Sequence, residues 1–183
     1  MRSRGVRAVV ASLVLALGAE PAAAQSATTW ILGGGLSLPA GEFKAYANTG
    51  MALTGAVERS LGAHPTSLRF GVSYAVNTDN TAIGFHETTR LTALFGSIVY
   101  HFIGARPRLY ALLGAGLLRR DFSSTDPLDN GIRDSHFAIQ IGEGVTIPVG
   151  SVRLFAEARF ISTLGPGPFQ LFPVVVGIRL GGR

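Results

Sequence analysis

The sequence predicts an all-β fold: an eight-stranded antiparallel up-and-down transmembrane β-barrel, preceded by a cleavable signal peptide. Three observations support this prediction. The chain begins with an export signal, it has no later apolar segment long enough for a transmembrane helix, and long and short connections alternate between its eight β-rich segments. Only helices and closed barrels satisfy backbone polar groups inside lipid, so an apolar exported chain without a spanning helix favours a barrel.

The first 24 residues have the three parts of a secretory signal peptide. Three arginines before residue 8 form a basic start, an apolar run over Ala8–Ala19 follows, and small residues lead to Ala24. A retained N-terminal anchor is the alternative, but the run is shorter than the roughly 20 residues of a spanning helix. We expect a signal peptide over residues 1–24 and a single outer-membrane β-barrel domain over residues 25–183.

The composition argues against several kinds of site. The 183 residues include no cysteine, which excludes disulfides, thiolate metal sites and thiol catalysis. The net charge of +5 is scattered along the chain, so we expect no nucleic acid as a partner. The four histidines are far apart and lack the spacing of metal ligands, so we expect neither a metal site nor a cofactor.

Eight segments rich in β-branched, aromatic and glycine residues reach the length of about 9–11 residues that a tilted membrane strand needs. They are Thr28–Leu38, Thr49–Leu61, Ser67–Val76, Thr89–Phe102, Arg108–Arg120, Ser135–Val149, Val152–Ile161 and Phe169–Leu180. The connections range from the long Asn77–Thr88 and Asp121–Asp134 to the minimal Gly150-Ser151. This alternation is typical of a barrel with both termini in the periplasm and long loops outside the cell.

Period-two alternation gives several strands one wholly apolar face. It is clear in Leu68–Val76, Val152–Phe160 and Phe172–Leu180, where the even positions are apolar. The opposite faces are mostly small or charged, with Phe155 and Val175 as exceptions. A membrane barrel turns its apolar face to lipid and a soluble barrel turns it inward. The near absence of lysine favours the membrane barrel, and the soluble barrel stays open as the alternative.

Six charged residues on the proposed inner faces form the candidate site. They are Glu58, Arg69, Arg153, Glu157, Arg159 and Arg179. Unpaired charges in a narrow lumen are costly, so we expect a salt-bridged network that fills the lower and middle barrel. The functional alternative is a charged permeation path, although eight strands leave an interior just wide enough for side chains.

Glu143 does not fit the alternation. If Gly150-Ser151 closes a two-residue hairpin, Gly144 lies opposite Glu157 and Glu143 faces lipid, where a carboxylate is costly. We therefore expect either a β-bulge near Gly142 or Gly144, or another arrangement that turns Glu143 inward.

Aromatic residues near the strand ends predict the interfacial girdles of a membrane barrel. They are Trp30, Tyr74, Tyr100, Phe102, Tyr110, Phe160, Phe169 and Phe172. The odd positions of Leu109–Leu117 suit lipid, which would turn Tyr110 inward. The pattern of Leu91–Phe102 does not reveal which of its faces is the inner one.

The pair Ser135-His136 is the main hint of catalysis, since small outer-membrane barrels include lipid-A deacylases. No serine follows at the spacing of such enzymes, and no G-x-S-x-G motif is present. A histidine at the membrane interface is the plainer interpretation, so we expect no catalytic residue and no enzyme.

Five motifs follow one another along nearly the whole mature chain. They are Gly35–Phe43, Asn48–Gly50, Arg106–Gly116, Leu154–Phe160 and Pro173–Leu180. Their order and spacing resemble the small outer-membrane-protein β-barrel domain family, which is OmpA/OmpX-like and often called porin-like. The resemblance implies a Gram-negative outer membrane, with outer-membrane lipid and the outer-membrane assembly machinery as partners. Members usually end on an aromatic residue that this machinery reads, whereas this sequence ends Leu180-Gly181-Gly182-Arg183.

The family includes adhesins and stability factors, so the resemblance implies no reaction. We expect a non-enzymatic outer-membrane barrel with a structural or surface-interaction role through its extracellular loops, toward a surface ligand that the sequence does not name. A narrow porin-like channel is the first alternative. A lipid-A-modifying enzyme that uses His136 or Glu143, and a soluble lipocalin-like carrier, are the others.

Overall fold

The computed structural model of the protein describes residues 28–62, 64–78, 87–102, 107–124, 133–165 and 169–181. Eight antiparallel strands form a closed barrel in sequence order, with the last strand paired to the first. The strands are β1 (Thr28–Ala40), β2 (Gly50–Ser60), β3 (Thr66–Thr78), β4 (Glu87–His101), β5 (Arg108–Ser124), β6 (Arg133–Val149), β7 (Val152–Thr163) and β8 (Gln170–Gly181). The predicted fold class is confirmed. The expected signal peptide lies outside the described residues.

The two ends of the barrel differ in their connections. One end of the barrel holds three short connections, the start of β1 and the end of β8, and we call it the turn end. The other four connections lie at the opposite end, which we call the loop end. At the turn end Val149 pairs with Val152, as expected, and Gly150 has a φ of +59°. A positive φ is what a two-residue hairpin turn requires, and glycine adopts it without strain.

Strands β5 and β6 extend further toward the loop end than the sequence predicts. Each has 17 residues, and their pairing continues to Asp121 opposite Arg133. The prediction ended where the apolar pattern ends. Backbone pairing does not need an apolar face, so the ladder continues into a charged stretch beyond it.

Side chains that point out of the barrel form a continuous apolar band. One exposed member from each strand, in order, is Leu32, Leu53, Phe70, Leu94, Leu113, Ile141, Leu154 and Val176. The neighbours Leu112 and Leu113 show the alternation sharply, with 3% and 63% of their surfaces exposed. A band of this extent is typical of a barrel that faces lipid. Among the described residues, no helix is long and apolar enough to cross a membrane.

The facing of β4, which the sequence left open, is now defined. Leu91 and Phe95 are buried inside the barrel, whereas Leu94 and Ile98 are exposed outside it. Both faces of this strand are apolar because its inner face packs into an apolar part of the lumen.

Most of the predicted girdle residues point outward, but two do not. Trp30, Tyr74, Tyr100, Phe102 and Phe172 are exposed on the barrel's outer surface, and Phe160 is partly exposed. The assignment of Tyr110 and Phe169 to the girdle was wrong, because both are buried inside. Tyr110 fills the space beside Gly144, and Phe169 packs against Phe43 in the narrow interior.

The interior near the loop end is filled by an apolar cluster that we call the loop-end plug. Its larger members are Phe43, Leu91, Phe95, Leu118, Ile161, Phe169 and Leu171. A short 3-10 helix, η1 (Gly41–Ala45), supplies Phe43 from the connection between β1 and β2. The rings of Phe43 and Phe169 lie with their centroids 3.9 Å apart. The plug closes the barrel on the loop-end side of the charged residues of the candidate site.

Candidate functional site

The structure brings five of the six predicted charged residues together in the half of the lumen nearer the turn end. Glu58 lies 2.8 Å from Nη2 of Arg69 and 2.6 Å from Nη2 of Arg179. Glu157 pairs with Arg69 and, at 3.3 Å, with Nε of Arg159. All five residues are buried, at 6% exposure or less. We call these five residues the charge network.

Strand register explains how the charge network forms. Glu58 and Arg69 are direct cross-strand partners of β2 and β3, and both side chains point inward. Arg69 then reaches across the lumen, so that its guanidinium bridges the carboxylates of Glu58 and Glu157. Hydrogen bonds between ionised partners are the stronger kind, and a bridging guanidinium satisfies two buried carboxylates at once.

Arg153 does not join the charge network, which corrects the expectation for this residue. It is half-buried at the turn end, where it donates to the carbonyl of Gly181 and lies 3.4 Å from Oγ1 of Thr29. It lies four residues before Glu157 along β7, and four strand residues span about 13 Å. It forms no ion pair with any carboxylate of the described residues.

Two residues that the sequence did not assign to the site also belong to it. The hydroxyl of Tyr110 donates to Glu157 at 2.9 Å, and its ring lies 5.2 Å from the guanidinium carbon of Arg69 and 5.3 Å from that of Arg179. Nε2 of His101 lies 2.9 Å from Glu58. The alternation along β5 predicts that Tyr110 points inward, so this residue could have been assigned to the site from the sequence. His101 could not, because the sequence does not reveal which face of β4 is the inner one.

Gly144 makes room for the Tyr110 ring. Tyr110, Gly144 and Glu157 lie side by side on β5, β6 and β7. A Cβ on Gly144 would collide with the Tyr110 ring. The tyrosine can therefore lie across the glycine and reach the carboxylate of Glu157 on the far side.

The same geometry overturns the expectation of a bulge or an inward Glu143. β6 pairs with both of its neighbours without a bulge, and Glu143 lies exposed on the outer surface between Ala111 and Ala158. The flanking Gly142 and Gly144 face inward, where the side chains of Arg159 and Tyr110 occupy their space. These glycines serve the packing of the lumen, so they do not divert the strand.

We expect Glu143→Leu to stabilise the protein in a bilayer by about 1 kcal/mol, because a carboxylate on the lipid face is unfavourable. The urea midpoint of the variant refolded in vesicles, followed by gel migration without heating, measures the change. Glu42→Leu on the exposed η1 is the control, with no comparable gain expected. A lower midpoint for Glu143→Leu would contradict this account of the residue.

We expect Tyr110→Phe to lower the free energy of unfolding by about 1.5–3 kcal/mol. The variant keeps the ring but leaves the Glu157 carboxylate without one of its donors, and hydrogen bonds to charged groups have values in this range. The same urea titration measures it. Tyr100→Phe, on the outward-facing exposed ring, is the matched control and should leave the midpoint nearly unchanged.

Ser135 and His136 cannot act together as a nucleophile and base. Consecutive strand residues point to opposite faces, and Ser135 is exposed while His136 turns toward Asp134, at 3.3 Å from its carboxylate.

Asp134 lies beyond the apolar band and also pairs with Arg120 at 2.5 Å. Burial raises the pKa of Asp134, but hydrogen bonds from Arg120 and His136 outweigh burial and hold that pKa below its usual value.

The described interior is packed rather than open. Two voids, one beside the charge network and one beside the loop-end plug, have volumes of about 20 Å³ each, close to the space of one water molecule. A larger cavity of about 180 Å³ lies at the turn end, below the charge network. The arrangement suits a closed barrel whose charges stabilise its interior.

No known family model matches the chain, and no curated protein is similar to it in sequence. Solved structures do resemble it. A major outer membrane protein from Thermus thermophilus is 14% identical, with a TM-score of 0.64 over 86% of this chain and 100% of that one. Neisserial surface protein A is 16% identical, with a TM-score of 0.58 over 84% of this chain and 96% of that one.

A third similar structure is that of Ail, the attachment invasion locus protein of Yersinia pestis, in complex with the heparin analogue sucrose octasulfate. It is 11% identical, with a TM-score of 0.51 over 84% of this chain and 99% of that one. Likeness at these identities establishes architecture. This chain therefore has the fold of the small eight-stranded β-barrels of bacterial outer membranes.

Proposed function

We propose that the protein is a non-enzymatic outer-membrane barrel with a structural or surface-interaction role, carried by its loop end. The observation that supports this most is a barrel that is apolar outside and packed inside. An exterior of this kind needs lipid, and a packed interior leaves the ends of the barrel as the places where partners can bind.

In the proposed orientation the turn end faces the periplasm and the loop end faces the outside of the cell. Long connections on the outside and tight turns on the inside are the rule in barrels of this kind. Export by the signal peptide and insertion by the outer-membrane assembly machinery, with outer-membrane lipid around the band, belong to the same proposal.

The paired extension of β5 and β6 supports a role at the surface. Asp121 lies 3.2 Å from Arg119 and 3.1 Å from Arg133, and the Arg120–Asp134 pair is the next one toward the membrane. The Asp121–Arg133 and Arg120–Asp134 pairs join the two strands beyond the apolar band. The paired ends of β5 and β6 therefore extend away from the lipid, where they can meet a surface ligand.

A narrow channel is the second candidate, and the open cavity at the turn end is the observation in its favour. The charge network and the loop-end plug oppose it, because an ion would have to displace both. Planar-bilayer recordings test it: we expect no discrete conductance steps, and steps of uniform size would replace the first proposal by the second.

Labelling of intact cells tests the location and orientation. Since the chain has no cysteine, Ser135→Cys at the loop end and Ser151→Cys at the turn end form a matched pair of exposed positions. We expect a membrane-impermeant maleimide to label the first on intact cells and the second only after the outer membrane is opened. Equal labelling of both on intact cells, or recovery of the protein in soluble periplasm, would overturn the proposal.

A further inference from the structure

The cavity at the turn end has an unusual lining. It has a volume of about 180 Å³ and lies between the charge network and the solvent at that end. Three arginines line it, Arg108, Arg153 and Arg179, together with the hydroxyls of Thr29, Ser60, Ser67 and Thr146. A single carboxylate, that of Glu58, lines the same space.

That carboxylate is already engaged. Glu58 accepts hydrogen bonds from Arg69 and Arg179, and its Oε1 also lies 2.9 Å from His101. Arg153 and Arg179 lie directly opposite each other on β7 and β8, with both side chains on the inner face. Like charges in that position repel each other. The cavity therefore carries an excess of positive charge that its own side chains do not neutralise.

Two residues that line the same cavity also carry buried polar atoms with no partner among the described residues. Arg179 is 3% exposed, and its Nε and Nη1 make no hydrogen bond with any described residue. Thr146 is 6% exposed, and its hydroxyl is also without a partner among the described residues. Buried polar groups are normally satisfied, so Arg179 and Thr146 keep unused hydrogen-bonding capacity beside the positively charged cavity.

We propose that this cavity binds an oxyanion of the phosphate class. Guanidinium groups present paired donors that match the oxygens of phosphate, and arginine is the residue that such recognition favours. Donors surround the cavity from β5, β6, β7 and β8, which suits a tetrahedral group with several acceptor oxygens better than the two coplanar oxygens of a carboxylate.

Two sources can supply this chemistry. A soluble phosphate monoester can enter from the aqueous side of the turn end, which faces the periplasm under the proposed function. The headgroup of a phospholipid in the adjoining leaflet carries a phosphodiester, which offers the same oxyanion chemistry through its two non-bridging oxygens. The binding site itself depends only on the folded barrel, so a failure of the surface role would leave this proposal standing, and the reverse also holds.

Isothermal titration calorimetry with inorganic phosphate tests the proposal. The full chain is refolded in a non-ionic detergent, so that no detergent headgroup competes for the cavity. We expect saturable binding that Arg153→Gln and Arg108→Gln each weaken about tenfold or more, the change that loss of one charge-assisted contact produces. Arg119→Gln, at the loop end and outside the cavity, is the matched control with unchanged affinity. Arg108 is exposed at the start of β5, so its variant tests the site even if Arg153→Gln does not fold.

Two further arms separate the sources. Competition by glycerol 3-phosphate, with no difference between the two kinds of vesicle described next, identifies a soluble monoester. Stabilisation of the wild-type chain by phosphatidylglycerol vesicles relative to phosphatidylcholine vesicles containing the same concentration of free phosphate, lost in Arg153→Gln, identifies an anionic lipid headgroup as the source. Absence of saturable phosphate binding, or equal affinity in the Arg108 and Arg153 variants and the wild type, overturns the proposal and leaves water as the occupant of the cavity.

Discussion

Glu58→Gln should lower the free energy of unfolding by about 3–5 kcal/mol, one of the two largest losses that we expect from a single substitution. Glu58 is the carboxylate that Arg69, Arg179 and His101 share. Arg69 keeps Glu157 in the variant, but Arg179 loses its one ion pair within the described residues while 3% exposed. Breaking a buried pair by removing one partner costs this much because it leaves a buried charge without compensation.

The urea dependence of gel migration by unheated samples measures the loss, with Glu42→Gln on the exposed η1 as the control. The double variant Glu58→Leu, Arg179→Met provides a sharper test. Replacing both members of a buried ion pair by apolar groups removes the lone charge, so the double variant should be more stable than Glu58→Gln alone. If the double variant loses as much as the sum of its two single changes, the two residues are not coupled as described.

Phe43→Ala should cost about 3 kcal/mol, the second large effect. Phe43 is 2% exposed and its ring packs on Phe169 within the loop-end plug. Truncation of a buried phenylalanine removes apolar contacts and leaves a cavity, and such changes cost roughly 3–5 kcal/mol. We take the lower value because the short η1 can settle into part of the space.

Tyr46→Ala is the matched control for Phe43→Ala. Tyr46 contacts the same phenylalanine ring edge-on, with centroids 5.8 Å apart, but half of its surface is exposed. Its truncation should cost well under half as much. Neither variant should conduct in planar bilayers, because the charge network closes the barrel independently of the plug. Conductance by Phe43→Ala alone would show that the plug is the sole seal.

Much of the architecture could be predicted from the sequence because membrane strands obey two local rules. Period-two alternation identified the apolar faces of β3, β7 and β8. The eight β-rich segments predicted the number of strands, and the alternation of long and short connections predicted their up-and-down order. Both rules use only local sequence, either the residues of one strand or the length of one connection. These rules failed at the loop end of β5 and β6, where pairing continues after the apolar pattern stops. They did not predict which face of β4 is the inner one, because both of its faces are apolar.

The site was less predictable because its contacts join strands that are distant in sequence. Parity could place Glu58 and Arg69 inside the barrel, yet their bridging to Glu157 depends on the width of the lumen and on the height of each residue along the barrel axis. Arg153 and Glu157 share one face of β7, but they lie at different heights along the barrel axis and therefore do not meet. The inner-face role of Gly144 depends on a ring from another strand, which is why the expected bulge at Glu143 was wrong.

The exposed apolar band should contact lipid, and depth-dependent quenching in purified outer membranes tests this contact most directly. A fluorophore is attached at Leu113→Cys in the band or at Arg119→Cys beyond it, and its quenching by brominated lipids and by aqueous iodide is measured. Leu112→Cys, which faces inward, is the control and should react with the label only after unfolding. We predict that brominated lipid quenches position 113 and spares position 119, with the opposite order for iodide. Iodide quenching of position 113 as strong as that of position 119 would contradict the account.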